Sequence, residues 1–156
     1  MKLYYLAKKV SRLKQISSRF SMAVHILSMI SLDPLYSTGD RIARSINSNP
    51  VVIRRIMAQL KKAGYIETKP GVAGASLLIS PERLTLLNIF QAVESVDGKQ
   101  LFKIHKDTDP NCSVGMNIES ILLPQLSNAQ KAMEHELASV TLAQIVEQLR
   151  IKANVK

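Results

Sequence analysis

The sequence predicts a mostly α-helical protein with one small β-hairpin: short helices first, then the hairpin, then a longer helical second half. Three observations lead there. Apolar residues recur at helical spacing through most of the chain, and the main strand-like runs, residues 65–69 and 75–79, lie close together. Between them sits a tip of small residues, Pro70-Gly71-Val72-Ala73-Gly74. With 156 residues, 46% of them hydrophobic, the chain can bury a core. Aromatics are 4% and Trp is absent, so that core must be Leu, Ile, Val, Ala and Met.

Taken in order, residues 1–16 read as a basic amphipathic helix, with Leu3, Leu6, Ala7, Val10 and Leu13 on one stripe. Ser17 or Ser18 caps a second helix running to about residue 32. Phe20, Ala23, Val24, Leu27 and Ile30 make one apolar face, and Met22, Ile26 and Met29 fill much of the other. Such a helix needs cover on two faces, more than one small domain supplies, which suggests a partner chain. Asp33-Pro34 ends it. Thr38 caps a short helix to about residue 46, with Asp40 in its first turn and Ile42, Ala43 and Ile46 inward. Asn49 followed by Pro50 starts the next helix. Its buried stripe is Ile53, Ile56, Met57 and Leu60, and Gly64 stands where a left-handed terminating residue is wanted. After the hairpin, Ser80-Pro81-Glu82 opens a helix to about residue 96 bearing Leu84, Leu87, Ile89, Phe90 and Val93. Asp97-Gly98 is a turn, residues 101–104 a brief strand, and residues 106–115 a loop holding Cys112. A long helical stretch, residues 118–140, has Pro124 near a joint. Thr141 and Gln144 have capping-box spacing for a last helix.

Charge divides the chain. Lys plus Arg number 21 against 12 Asp plus Glu, a net +9. Residues 1–80 hold thirteen basic and three acidic side chains, whereas residues 81–156 hold eight and nine. The first half therefore offers a cationic surface to an anionic partner. No apolar run of about 18 residues exists to span a membrane. The opening apolar stretch is too short for a signal peptide, so a cytoplasmic location is expected. One cysteine excludes an intrachain disulfide and a multi-thiolate zinc site. His25, His105 and His135 fall on separate elements without ligand spacing. No phosphate-binding loop, nucleophile elbow, HExxH or paired-carboxylate pattern appears, so no enzyme activity, metal or cofactor is expected.

Helices in this order, the last two short and joined by a tight turn, followed by a hairpin, compose a winged helix-turn-helix. The helix after Pro50 hides its Ile/Met/Leu stripe and turns Val51, Val52, Arg54, Arg55, Ala58 and Gln59 outward. Arginines near a helix N-terminus suit insertion into the major groove of double-stranded DNA, where Arg54 and Arg55 can meet guanine edges or phosphates. Val51 and Val52 suit thymine methyls, while Thr38 and Asn49 position the helix starts. Gly71 and Gly74 allow a close backbone approach at the hairpin tip, beside the cation of Lys69. The alternative is a protein-interaction module that uses the winged helix as scaffold to regulate a partner enzyme, which would need an apolar patch around Val51 and Val52.

Several segments resemble the Rrf-two family of bacterial winged-helix regulators. They are residues 17–27 (SSRFSMAVHIL), Ile42-Ala43, 49–55 (NPVVIRR), 60–66 (LKKAGYI) and the wing 70–77 (PGVAGASL). Leu86, Leu87, Ile89, Ala92, Val93 and Glu94 are similar to the helix that follows. Residues 112–118 (CSVGMNI), Ala129-Gln130 and Thr141-Leu142-Ala143 are similar to the family's C-terminal signature. The resemblance implies a homodimer, held by a long C-terminal helix crossing to its partner, that represses transcription at palindromic sites. It divides the chain into a basic extension at residues 1–15, a DNA-binding unit at 16–80 and a helical linker and dimerisation region at 81–156, all one integrated domain. Cluster-sensing members carry three cysteines where this chain has Cys112 alone, which leaves no expected iron–sulfur cofactor. Cys112, in a polar loop just before a helix, is instead a candidate redox or electrophile sensor. Ala73 and Ala75 stand where many relatives have glycine. An unidentified effector or partner protein is left open.

Overall fold

A computed structural model describes residues 18–94 and 101–153; the amphipathic segment 1–16 and the Asp97-Gly98 turn lie outside them. The first helix, α1 (Arg19–Leu32), is apolar on nearly every side and runs through the middle of the fold. Ala23, Ile26, Leu27 and Ile30 are buried, with Phe20, Met22, Val24 and Met29 packed against the core at its margins. The sequence had suggested that this helix needs cover from outside the chain. The structure corrects that: α2 (Gly39–Ile46), α3 (Pro50–Lys62), α4 (Leu86–Val93) and α6 (Leu142–Ala153) all pack on α1.

Local chemistry explains the helix-turn-helix boundaries. Thr38 Oγ1 accepts the Arg41 amide at 3.4 Å at the start of α2. Asn47 ends α2 in the left-handed region, φ 53°, and the amides of Asn47 and Ser48 return to the carbonyls of Arg44 and Ala43. Two residues on, Asn49 Oδ1 accepts the Val51 amide at 2.8 Å and Pro50 occupies the first turn of α3. Helix α3 closes the same way: Gly64, φ 77°, lets the amides of Gly64 and Tyr65 bond back to Lys61 and Leu60.

The hairpin is shorter than the two five-residue runs suggested. Strands β1 (Ile66–Glu67) and β2 (Ser76–Leu77) pair antiparallel, Ile66 opposite Leu77 and Glu67 opposite Ser76. The intervening residues form a wide wing tip, closed in part by the Val72 amide on Lys69 O at 3.1 Å.

The second half departs further from the pattern. Residues 80–83 form a turn, and helix α4 starts only after Thr85, whose hydroxyl and backbone amide both pair with Asn88 in a capping box. Residues 101–104 form no strand, and the Leu101 amide is taken instead by Gln130 Oε1 at 3.2 Å. Helix α5 (Ser113–Ser139) begins five residues earlier than expected and runs unbroken through Pro124. Thr141 and Gln144 then cap α6 reciprocally, as their spacing predicts. A backbone bridge between Thr85 and Thr141, with Leu142 donating to Leu84 O at 2.8 Å, fastens the start of α6 to the start of α4. Leu142 and Val146 are buried, so the C-terminal helix completes the core that begins at α1.

Candidate nucleic-acid interface

Helix α3 is anchored by Ile53, Ile56 and Leu60, each at most 1% exposed. Its remaining surface carries the predicted site. Val51 is 46% exposed, and Arg54 and Arg55 project into solvent. Arg54 Nε donates to Pro50 O at 3.3 Å, which lays its guanidinium along the N-terminal turn. Arg55 makes no hydrogen bond or ion pair among the described residues. Val52 and Gln59 do not face fully outward as expected. Val52 is half-buried against the core, and Gln59 Nε2 reaches back to Val93 O at 3.3 Å. The i to i+1 step on a helix turns about 100°, so Val51 and Val52 cannot share one direction.

Thr38 and Asn49 are both spent on capping, which presents the first amides of α2 and α3 at two neighbouring helix starts. Between these helices lies an open cleft of about 560 Å³ lined by Asp40, Arg44, Asn47 and Ser48. Arg44 was not singled out from sequence, although its place in the last turn of α2 was readable. Arg41 stacks over the Tyr36 ring at 5.2 Å.

On the wing, Lys69 pairs with Glu67 at 3.2 Å, and Lys61 Nζ donates to Thr68 Oγ1 at 3.1 Å. The wing cation is thus partly offset by its neighbour, in a pair open enough to be worth little. Gly71, φ 75°, stands in open space at the tip. Gly74, φ 85°, does not: a Cβ there would collide with the Pro34 carbonyl oxygen, and would lie 3.2 Å from Leu35 O. Gly74 therefore has an internal duty, seating the wing on the turn between α1 and α2. Burial raises the Tyr65 phenol above its ordinary range, and its hydroxyl donates to Asn88 O at 3.4 Å, holding the wing base against α4.

Cys112 is exposed, at the position preceding α5. Its sulfur faces the backbone amides of Gly115 and Val114 without an ideal capping bond, and their partial positive charge lowers the thiol below its usual range. It belongs to the second half and is not part of the α2–α3–wing surface.

A capped helix-turn-helix with arginines on its second helix and a hairpin wing defines a transcriptional regulator of the winged-helix, DNA-binding class. The chain belongs to the Rrf2 (Rrf-two) family, described as iron-dependent transcriptional regulators, whose family model matches residues 16–148. It is 42% identical over 134 residues to YwnA of Bacillus subtilis (strain 168), named as an HTH-type transcriptional regulator, covering 86% of this chain and 98% of that one. A crystal structure named as a DNA-binding protein is 39% identical, with a TM-score of 0.66 over 82% of this chain and 98% of the other. CymR, the global cysteine regulator of B. subtilis, shares the fold at 17% identity and a TM-score of 0.64, over 86% of this chain and 98% of its own.

The family description implies iron. A multi-thiolate centre needs several cysteines, and this chain has one, exposed at the start of α5. Among the described residues no three His, Cys, Asp or Glu side chains gather where they could hold a metal ion. The donor set does not fit such a centre. No described helix is long and apolar enough to cross a membrane.

Proposed function

We propose that this regulator acts in the cytoplasm as a homodimer that represses transcription by reading a palindromic operator. The observation that carries DNA reading is α3: its start is capped by Asn49 and Pro50, and the exposed Val51, Arg54 and Arg55 follow within two turns. In this reading Arg55 pairs with a base, Arg54 with a phosphate or guanine, and Val51 with a thymine methyl, Val52 adding only its exposed fraction. Thr38 and Asn49 set the helix starts against the backbone, and Lys69 and Gly71 meet the adjacent groove. Gly74 contributes by holding the wing in place. Residues 16–80 form the reading unit and 81–156 the linker and dimerisation region, joined as one body through α6. Residues 1–15 form a basic extension. A protein-docking role would need Val51 and Val52 together in an open apolar patch, and Val52 is turned partly into the core.

Dimerisation rests on α5. None of its 27 residues is buried, and Val114, Met116, Ile121 and Leu123 are large apolar side chains left open. Two copies on a two-fold axis would read half-sites roughly one helical turn apart.

The test is binding to DNA upstream of the protein's own gene, titrated in salt. Affinity should exceed that for random DNA and fall by about 10³ or more between roughly 50 and 200 mM salt. Equal affinity for operator and random fragments across a genome-wide selection would refute sequence reading. Replacing Arg55 with Ala should weaken operator binding by about 1–3 kcal/mol and relax preference at one base pair. A uniform loss on all DNA would reassign Arg55 to phosphate.

Within the same reading, Cys112 is the point at which an oxidant or electrophile acts on the helix that joins the protomers. A thiol pKa below its ordinary value means more thiolate at pH 7 in the folded chain than in the unfolded one. Iodoacetamide should therefore alkylate native Cys112 faster at pH 7 than the same residue in urea. The advantage should vanish as the pH rises past the ordinary thiol range, where both forms are ionised. Equal rates at pH 7 would remove the basis for a sensor, as would an oxidant response of DNA binding unchanged by Cys112→Ser.

A further inference from the structure

A cavity of about 620 Å³ opens between α4 and α5, away from the α2–α3–wing surface. One wall is apolar, formed by Leu87, Phe90 and Leu101. The rest of the lining includes two carboxylates, Glu94 at the end of α4 and Glu134 on α5. Gln130 keeps Glu134 in place, its Nε2 donating to Glu134 Oε1 at 2.8 Å while its Oε1 accepts the Leu101 amide. Glu94 has no such support. Among the described residues its Oε1, shut off from water, has no hydrogen-bond partner. Leaving a carboxylate oxygen in that condition is costly unless positive charge or a donor stands nearby. Among the described residues, no Lys, Arg or His lines the cavity.

The chemistry missing from this lining is a cation with N–H donors and an aliphatic part for the apolar wall. We propose that the cavity between α4 and α5 binds a small organic cation, an ammonium on a short aliphatic stem, and that its occupancy is transmitted to the recognition helix. The ammonium pairs with Glu94 and Glu134, and the stem lies on Phe90, Leu87 and Leu101. Transmission has a short route. Glu94 directly follows Val93, whose carbonyl accepts the hydrogen bond from Gln59 of α3, and Tyr65 at the wing base bonds to Asn88 of the same helix. A ligand that draws Glu94 towards α5 moves the end of α4 on which α3 leans.

The binding half of this inference stands without the DNA reading; the transmission half rests on it. The full chain would be titrated with 1,4-diaminobutane and with n-butylamine by calorimetry, at constant ionic strength and without DNA. 1-Butanol and sodium butyrate serve as controls that share the stem but lack the cation. Saturable binding of the amines alone is expected, weakened on the order of tenfold in Glu94→Gln, which keeps the side chain's shape, and likewise in Glu134→Gln. Non-saturable heats, equal binding of 1-butanol, or unchanged affinity in both folded variants would overturn the site. The second arm repeats the operator titration with and without 1,4-diaminobutane. A shift in wild-type affinity that disappears in Glu94→Gln supports transmission, and an operator affinity indifferent to a bound amine refutes it. If the protein reads no operator at all, the calorimetric result still decides the site.

Discussion

Replacing Gly74 with Ala should destabilise the protein by about 3 kcal/mol or more, lowering the denaturation midpoint without changing the slope of the transition. Two costs combine. The backbone at residue 74 sits at φ 85°, where a side chain is strained by roughly 1–2 kcal/mol. The added carbon also meets the Pro34 carbonyl oxygen, and backbone cannot swing aside as a flexible side chain can. That carbonyl is itself engaged, accepting the Ser37 amide at 3.3 Å, while buried Ser37 donates its hydroxyl to Asp33 O at 2.7 Å. Moving Pro34 therefore disturbs the turn that delivers Thr38 to the start of α2. Gly71→Ala is the internal control. It has a similar φ, 75°, but nothing within 4 Å, so only the conformational cost of about 1 kcal/mol applies. Equal effects at the two positions, measured by urea denaturation, would mean that the wing does not seat on this turn.

The same glycine shows what was legible in the sequence and what was not. Features written in adjacent residues came through: the Asn49-Pro50 start of α3, the Gly64 stop, and the Thr141–Gln144 cap all hold, because each is satisfied within one helical turn. Neighbouring residues show Gly74 only as an opening for close approach to DNA, whereas its contact in the fold is a carbonyl far upstream on another turn. No local pattern encodes such a contact. Val52 was misplaced for a related reason. A β-branched residue beside Val51 looks equally free in sequence, and only the packing of α3 on the core separates the two. Residues 101–104 carry strand-like composition, but a strand needs an edge, and Gln130 on α5 takes the amide that would have joined one. The apolar faces of α1 suggested a partner chain, whereas α4 and α6 fold back to cover them. The seam of the proposed dimer thereby shifts wholly onto α5, whose large apolar side chains stay uncovered.

That shift defines the variant expected to affect function most. Val114, Ile118 and Ile121 recur at i, i+4 and i+7 along α5, one stripe of a helix about 40 Å long. Ile121 is 64% exposed and Val114 66%, so nothing in the chain depends on them for its own core. Ile121→Glu should leave the helical content and the folding midpoint of the 17.3 kDa protomer nearly unchanged. In a two-fold interface the substitution appears twice, and each carboxylate shut into an apolar seam without a partner costs several kcal/mol. The variant should therefore run as a monomer at micromolar concentration, where the wild type is expected to run as the proposed dimer. Operator affinity should fall by about 10²-fold or more, because each half-site is then held by one recognition helix without the local concentration its twin provides. This signature differs from that expected of Arg55→Ala, which should leave the proposed dimer intact and alter one base preference. An Ile121→Glu protein that stays dimeric and binds its operator as the wild type does would place the contact between protomers elsewhere on the molecule.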